Sequence, residues 1–274
     1  MSDAAWFNGS TTVPDLSRHR GLHYGDGVFR TCLIHESQVM DMEKQLDRIR
    51  ADAARLDLAV DGRRLRRELM GLAAGQRRAV AKIVLIRAGA GRGYRADGTV
   101  ADRLLLRYPV PAFPAAAWRR GIRAARAGFR LAAQPALAGI KHLNRLEQVL
   151  ASRGEPAEVA ELIVSDDRGR PLSGTRSNLF WVKDGRLRTP ALDRCGVAGV
   201  MRDKVLAVAQ GAKIPLRIAA GSWNELLRAE EAFVTNSLIG IWPLAAVGAR
   251  RWRAPGPVTR ELMRQLGHPQ LVKT

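Results

Sequence analysis

Two apolar, β-rich runs joined by a glycine loop with no helix between them constrain this fold most. Residues 79–88 read AVAKIVLIRA, residues 89–98 read GAGRGYRADG, and residues 101–110 read ADRLLLRYPV. Strand, glycine loop and strand make a long hairpin. The loop offers a GxGxG spacing, but a dinucleotide fingerprint needs a helix directly after the glycines, so that its N-terminal N–H groups can meet a pyrophosphate. That helix is absent from the pattern, which excludes a Rossmann site here.

Around the hairpin the periodicity alternates between strand and helix. AWFNGS reads as a short opening strand, and LHYGDGVFRTCLI as an extended segment with a glycine bend. Met42, Leu46, Ile49, Ala53 and Leu56 recur at spacings of four and three, which places them on one helical face. A second helix is expected after Asp61, a good N-cap, with Leu65, Leu69 and Leu72 on its buried stripe. PVPAFPAAAW, at 109–118, has three prolines in six positions and no amphipathic period, as an interdomain linker would. Beyond it GIRAARAGFRL reads as a strand, and HLNRLEQVLASR as a helix with Leu143, Leu146, Val149 and Leu150 on its stripe. The strands EVAELIVSD and NLFWV, the helix VMRDKVLAVAQ, the strand IPLRIA, the short helix SWNELLRAE, the strand EAFVTN and the helix VTRELMRQL complete the chain. The expectation is an α/β to α+β protein. Residues 1–108 form a smaller N-terminal α+β domain, 109–118 a linker, and 119–274 a larger C-terminal domain of mixed α/β type.

Composition narrows the function classes. With 274 residues and 46% of them hydrophobic, the chain can bury a substantial core, which excludes disordered, collagen-like and disulfide-scaffold classes. Lys and Arg number 45 against 26 Asp and Glu, a net charge of +19. Lysine occurs only seven times, so the excess is arginine, scattered through periodic segments. No aromatic residues interleave with clusters such as RRLRR at 63–67, so no dedicated nucleic-acid site is expected. The field favours small anionic ligands. Cys32 and Cys195 lie far apart, and the five histidines show no ligand spacing, so neither a disulfide framework nor a metal site is expected. GxSxG, P-loop, HExxH and EF-hand patterns are missing. MSDAAWFNGS lacks the form of a signal peptide and no run reaches the ~18 apolar residues of a span, so the expectation is a cytoplasmic protein off the membrane.

Lys141, in AGIKHLNRLEQVLA, stands between an extended segment and a helix, among apolar neighbours. A lysine so placed is a candidate Schiff-base nucleophile. Taken alone, it reads first as a surface lysine.

Six motifs in order change that balance. HYGDGVFRT (23–31), GRGY (91–94), GIKHLNRLEQVLA (139–151), SGTRSNLFWV (173–182), GVAGVMR (196–202) and TNSLIGIWPL (235–244) resemble the fold-type IV pyridoxal-phosphate enzymes. The resemblance runs from Phe7 to about Leu244. KHLNRLEQVLA and TNSLIGI are most similar to the 4-amino-4-deoxychorismate lyase branch. It implies a two-domain fold like that of the D-amino-acid aminotransferases, with pyridoxal 5'-phosphate as cofactor. It also implies a homodimer with each active site near the subunit interface, and a substrate bearing two carboxylates.

Carried over motif by motif, Lys141 resembles the lysine that holds the cofactor covalently, and Arg48 the arginine that grips its phosphate. Val200 and Met201 open a helix directly after Gly199, where backbone N–H groups and the helix dipole would receive phosphate oxygens. Asn236 and Ser237 resemble a further phosphate contact, and Asn144 and Arg145 the neighbours of the pyridine ring's 3′ oxygen. Arg92 and Tyr94 resemble a carboxylate-recognition loop, and Tyr24 a substrate-pocket residue contributed across the dimer interface.

Two positions depart from the pattern. Ser173 replaces the usual glutamate facing the pyridine nitrogen; its hydroxyl can hydrogen-bond the nitrogen but supplies no negative charge. Arg30 stands where GDGVFET has glutamate. The resemblance implies conversion of 4-amino-4-deoxychorismate to 4-aminobenzoate and pyruvate, a step in folate synthesis. The alternatives are a D-amino-acid or branched-chain aminotransferase on the same fold, or a catalytically impaired protein that binds pyridoxal phosphate or nucleic acid.

Overall fold

A computed structural model describes residues 4–17, 19–89, 93–96, 98–154 and 156–270. The chain divides into two compact units, Met1–Ala112 with Ile140–Asn144, and Phe113–Gly139 with Arg145–Thr274.

The first unit runs β1 (Ala4–Phe7), α1 (Arg20–Tyr24), β2 (Gly27–His35), β3 (Gln38–Val39), α2 (Met42–Ala54), α3 (Gly62–Ala73), β4 (Arg78–Arg87) and β5 (Ala101–Tyr108). Its strands form one antiparallel sheet in the order β1-β5-β4-β2-β3. The hairpin expected from residues 79–110 is β4 and β5, paired from Val80↔Tyr108 to Arg87↔Ala101. Lying inside the sheet, β4 buries side chains on both faces, which is why its sequence is a nearly continuous apolar run. Asp61 caps α3, its carboxylate accepting from the Arg64 N–H at 2.9 Å, and Leu65, Leu69 and Leu72 are wholly buried. Glu68 of α3 takes a two-pronged bond from Arg103 of β5 at 2.8 and 2.9 Å, which fixes the helix on the sheet.

One local expectation is corrected here. Residues 20–24 are helical, not extended, and the glycine bend is the end of that helix. Gly25 adopts a left-handed conformation (φ 63°) and returns its N–H to Gly21 at 3.1 Å, a geometry glycine accepts without a Cβ penalty.

The second unit runs α4 (Ala116–Arg119), β6 (Ile122–Arg130), α5 (Leu146–Ala151), β7 (Glu161–Ser165), β8 (Pro171–Gly174), β9 (Asn178–Lys183), β10 (Arg186–Thr189) and α6 (Val200–Gly211). It continues with β11 (Leu216–Ile218), α7 (Trp223–Leu227), β12 (Glu231–Asn236), β13 (Gly240–Val247), β14 (Arg250–Arg251) and α8 (Pro257–Leu266). The strand order is β11-β10-β9-β12-β13-β6-β7-β8, with β14 on β13, and a β8–β9 pairing closes six of these strands on themselves. Closure removes free edges among those six strands and points one face of each at a shared interior, while β11 and β14 remain at the margins.

Helices α6 and α8 cover one face, where Val205, Ala209, Leu262 and Leu266 pack on Phe180 and Phe233. Those two rings, opposite each other on β9 and β12, stack with centroids 5.0 Å apart. Burying each ring is worth roughly 1.5–3 kcal/mol, and the stack adds about 0.5–1.5 kcal/mol. Both cysteines are free and buried, and burial raises the Cys32 thiol to about 12 and that of Cys195 to about 11.

The proline-rich stretch ends inside the second unit, since Ala117 and Trp118 are buried and Trp118 donates its indole N–H to the Ile239 carbonyl at 2.8 Å. The stripe expected on HLNRLEQVLASR is also corrected. Leu143 precedes the helix, and on α5 Leu146 is 75% and Val149 55% exposed.

Candidate active site

In the first unit the site is assembled around the chain segment 140–144, which packs with the N-terminal sheet. The sequence reading of 119–274 as one domain had assigned it to the C-terminal half. The reason is backbone pairing along the start of β2. The Phe29 N–H donates to the Lys141 carbonyl at 2.9 Å, Leu143 N–H donates to Gly27 at 3.0 Å, and Val28 bridges His142. Lys141 is thereby held as if it were a short extra strand, with its Nζ 4.6 Å from the centroid of the Phe29 ring. Lys82 approaches the same ring, at 5.1 Å.

The Lys141 N–H donates to Asp52 Oδ2 at 3.1 Å. Asp52, on α2, is also the partner of Arg30, and both side chains are buried. Burial pulls the Arg30 guanidinium below its ordinary range, Asp52 opposes that shift, and Arg48 adds to it by like-charge repulsion. Within the first unit the Lys141 backbone N–H thus meets the carboxylate of this pair, and Arg48 lies near enough to Arg30 for their charges to repel. Asn144 donates to the Gly25 carbonyl at 3.5 Å, and a Cβ at Gly25 would lie 2.2 Å from its Oδ1. Glycine is required there for contact as well as for φ.

Tyr24 does not stand free. Its hydroxyl accepts the Gly93 N–H at 2.9 Å, and its ring meets Tyr94 edge-on with centroids 5.6 Å apart. Arg20 braces the same loop by donating to the Gly93 and Tyr94 carbonyls at 2.9 and 3.3 Å, while Asp26 holds its Nε at 2.9 Å. Tyr94 itself is 90% exposed. Arg92 lies outside the described residues.

The second unit gathers the other residues. α6 starts at Val200 directly after its N-cap Gly199, which has no side chain to cap the helix, and Val200 and Met201 are buried. α8 also starts on a glycine, yet there the Glu231 carboxylate accepts the Val258 and Thr259 N–H groups at 2.9 and 2.8 Å. At α6 the positive end of the helix dipole lies at Val200 and Met201. Asn178 ties β9 to the loop before α6 by donating to the Val197 carbonyl at 2.8 Å, and Gly139 pairs with the same loop.

Ser173 is buried on β8, and its hydroxyl donates to the Gly174 carbonyl at 2.9 Å. The turn after it is organised by Glu161, 2% exposed, which accepts from the Thr175 N–H and hydroxyl at 3.0 and 2.7 Å and from the Ser177 hydroxyl at 2.6 Å. Asn236 accepts the Leu238 and Ile239 N–H groups and donates to the Arg176 carbonyl at 3.2 Å. It thus shapes the turn bearing Ser237 and joins it to the turn after Ser173. Arg145 is half-buried, and burial pushes its guanidinium down to about 10 against the opposing pull of Glu147.

Asp52, Glu161 and Asn178 were not singled out from sequence. For the two carboxylates the available signal is an acid inside an apolar run, as Glu161 is in VAELIV, or on the inner face of α2, because a buried carboxylate survives only where donors converge on it. Among the described residues, no group of three or more His, Cys, Asp or Glu side chains could hold a metal ion, and no helix is long and apolar enough to cross a membrane.

The family model for amino-transferase class IV matches residues 27–247. The aminodeoxychorismate lyase of Vibrio harveyi is 33% identical over 96% of this chain and 98% of its own length. A crystal structure of 4-amino-4-deoxychorismate lyase from Pseudomonas aeruginosa superposes with a TM-score of 0.93 at 40% identity, covering 97% of this chain and 99% of that one. The branched-chain amino acid aminotransferase of Escherichia coli shares the fold, with a TM-score of 0.83 at 22% identity, over 100% of this chain and 96% of that one.

Proposed function

This chain belongs to the class IV aminotransferase family, and we propose that within it the protein is a pyridoxal-phosphate-dependent lyase converting 4-amino-4-deoxychorismate to 4-aminobenzoate and pyruvate. The observation that carries this reading is similarity over the whole chain to two lyases, at higher identity than to the aminotransferase that shares the fold.

The residues present fit the cofactor. A dianionic phosphate would suit the start of α6, where the N-cap is a glycine with no side chain of its own to accept the first N–H groups. By the family resemblance, Arg48, Val200, Met201, Asn236 and Ser237 are the residues proposed to hold the phosphate, with Asn144 and Arg145 proposed beside the ring oxygen and Ser173 toward the ring nitrogen. When bound, pyridoxal phosphate withdraws electrons from the carbon that carries the substrate's amine. Lys141 Nζ would be the atom that holds the cofactor, and with substrate bound it would take the proton from the amine-bearing ring carbon and deliver a proton to the methylene of the departing enolpyruvyl group. Lys141 is suited to this because both its backbone polar groups are pinned, which fixes the point from which its side chain extends. Arg92, Tyr94 and Tyr24 are proposed to recognise the substrate's carboxylates, assisted by the +19 net charge.

Purified enzyme given aminodeoxychorismate and no keto acid is expected to release 4-aminobenzoate and pyruvate in equal amounts. Product that forms only when a keto acid is added would instead identify an aminotransferase.

Ser173 bears on the same choice. A carboxylate in its place would keep a proton on the ring nitrogen and make the bound cofactor a stronger electron acceptor. Elimination, driven by aromatisation, needs this less than transamination does. Ser173→Glu is therefore expected to raise alanine transamination severalfold relative to lyase activity, both measured on one cofactor-saturated preparation. An unchanged ratio would separate Ser173 from the ring nitrogen.

A cytoplasmic homodimer completes the proposal. The apolar face of α5, with Leu146, Val149 and Leu150 exposed, suits burial against a second copy.

A further inference from the structure

Arg20 is 4% exposed, and the lyase chemistry above gives it no part. From α1 its guanidinium reaches three acceptors. Nε donates to Asp26 Oδ2 at 2.9 Å, and the two terminal nitrogens donate to the Gly93 and Tyr94 carbonyls at 2.9 and 3.3 Å. The same helix supplies the Tyr24 hydroxyl, which accepts the Gly93 N–H at 2.9 Å. Both backbone polar groups of Gly93 are therefore held by α1.

Asp26 Oδ2 is a shared acceptor. It takes a second bond, also 2.9 Å, from Nε of Arg87, the last residue of β4, whose Nη1 donates to the Gly98 and Asp57 carbonyls at 3.0 and 3.2 Å. One carboxylate oxygen thus joins the arginine that grips Gly93 and Tyr94 to the arginine that grips Gly98 in the same β4–β5 loop. The helix is tied to β5 as well, because its N-cap His19 accepts the Gly21 N–H on Nδ1 at 3.4 Å and meets Asp102 Oδ2 through Nε2 at 3.0 Å.

We infer that Arg20 is a positioning residue that sets substrate affinity, by holding the loop of Arg92 and Tyr94 in place before the substrate arrives. The inference rests on the reading of Arg92 and Tyr94 as contacts for the substrate's carboxylates. Tyr94 is 90% exposed, so burial of its side chain does little to fix this part of the loop, and the bonds from Arg20 to its backbone take that task. A planar fork suits it, since it spans a carboxylate and two carbonyls at once. A loop ordered in advance lowers the entropy lost when substrate binds, which enters affinity and not the chemical step.

The expected signature is a change in KM with kcat kept. Arg20→Met keeps a long apolar stem and removes the donors, while Asp26 retains Arg87 as its partner. KM for aminodeoxychorismate should rise about tenfold or more, equivalent to about 1.4 kcal/mol, with kcat and the affinity for pyridoxal phosphate within about twofold of the unaltered protein. Arg103→Met is the matched control in the same unit. It takes a buried arginine from Glu68, which retains Arg64, and the Arg103 side chain bonds Glu68 rather than the loop. Its melting temperature should fall comparably, with KM within about twofold.

If the methionine variant folds poorly, Arg20→Lys carries the test. It keeps a charge beside Asp26, but a single nitrogen does not reach three acceptors spread across the width of a guanidinium, so KM should still rise about threefold or more. An unchanged KM in the Arg20 variants overturns the inference. So does an equal rise of KM in Arg103→Met, which would make lost stability the cause. Arg92→Ala and Tyr94→Ala keep the two readings apart. If neither raises KM, the loop does not receive the substrate, and the recognition reading falls and takes this inference with it. If either raises KM and the Arg20 variants do not, recognition stands and the positioning role of Arg20 alone is refuted.

Discussion

Lys141→Ala is expected to lower the rate of 4-aminobenzoate formation by about a thousandfold or more, since one amine serves as cofactor anchor and as proton carrier. The fold should tolerate the change. Alanine keeps the N–H that donates to Asp52 at 3.1 Å and the carbonyl that accepts from Phe29 at 2.9 Å. The contact of the ammonium with the Phe29 ring, worth roughly 0.5–2 kcal/mol, is lost. The check combines turnover, thermal melting and the mass of the protein after borohydride reduction. The unaltered chain should gain one pyridoxyl phosphate at Lys141 and the alanine variant none. An alanine variant that retains a tenth of the activity, or an adduct on another lysine of the unaltered chain, would remove Lys141 from the chemistry.

Gly199→Asp should be nearly as damaging, and for a different reason. The backbone at Gly199 is ordinary for any residue (φ −79°, ψ 143°), so no conformational strain is involved. A Cβ there, however, would sit 2.4 Å from Asn178 Oδ1, displacing the side chain that holds the Val197 carbonyl at 2.8 Å. The added carboxylate would also cap α6 itself, occupying with like charge the N–H groups proposed for the phosphate. Affinity for pyridoxal phosphate is expected to fall about a hundredfold, equivalent to about 2.7 kcal/mol. Gly199→Ala, which brings the clash without the charge, should lose about tenfold, within the usual 1–3 kcal/mol cost of overpacking. Equilibrium dialysis or fluorescence titration against the cofactor measures both. Unaltered affinity in the aspartate variant would place the phosphate elsewhere.

How much was legible beforehand depends on how local each signal is. The helices at Met42–Ala54, Gly62–Ala73 and Val200–Gly211 were visible because apolar spacing and caps act within a few residues. The hairpin of β4 and β5 was visible because both strands and the loop are contiguous in sequence. The residues proposed for catalysis were found only because six motifs stand in a family's order. Taken singly, Lys141 or Ser237 carries no such information. Asp52 and Glu161 escaped notice, since a carboxylate in sequence looks solvated until its donors are seen. Asp52 meets donors 22 and 89 positions away, and Thr175 and Ser177 reach Glu161 from 14 and 16 positions away.

The sequence by itself determined the alternation of elements, the exclusion of a dinucleotide fingerprint, and the order of the family's motifs, all of which follow from side-chain period and near neighbours. Tertiary structure decided that residues 140–144 pair with β2, because that pairing joins backbone groups more than a hundred residues apart and leaves no mark on local hydrophobicity. It also decided the fate of the apolar stripe on α5. A helical period says that one face is apolar but not what covers it, and here Leu146 and Val149 remain exposed on the single chain. The charge at Arg30 was settled in the same way. It read in sequence as a departure without a role, and it acquired a partner only when α2 brought Asp52 against β2, since burying a guanidinium is tolerable only beside a carboxylate that the fold delivers.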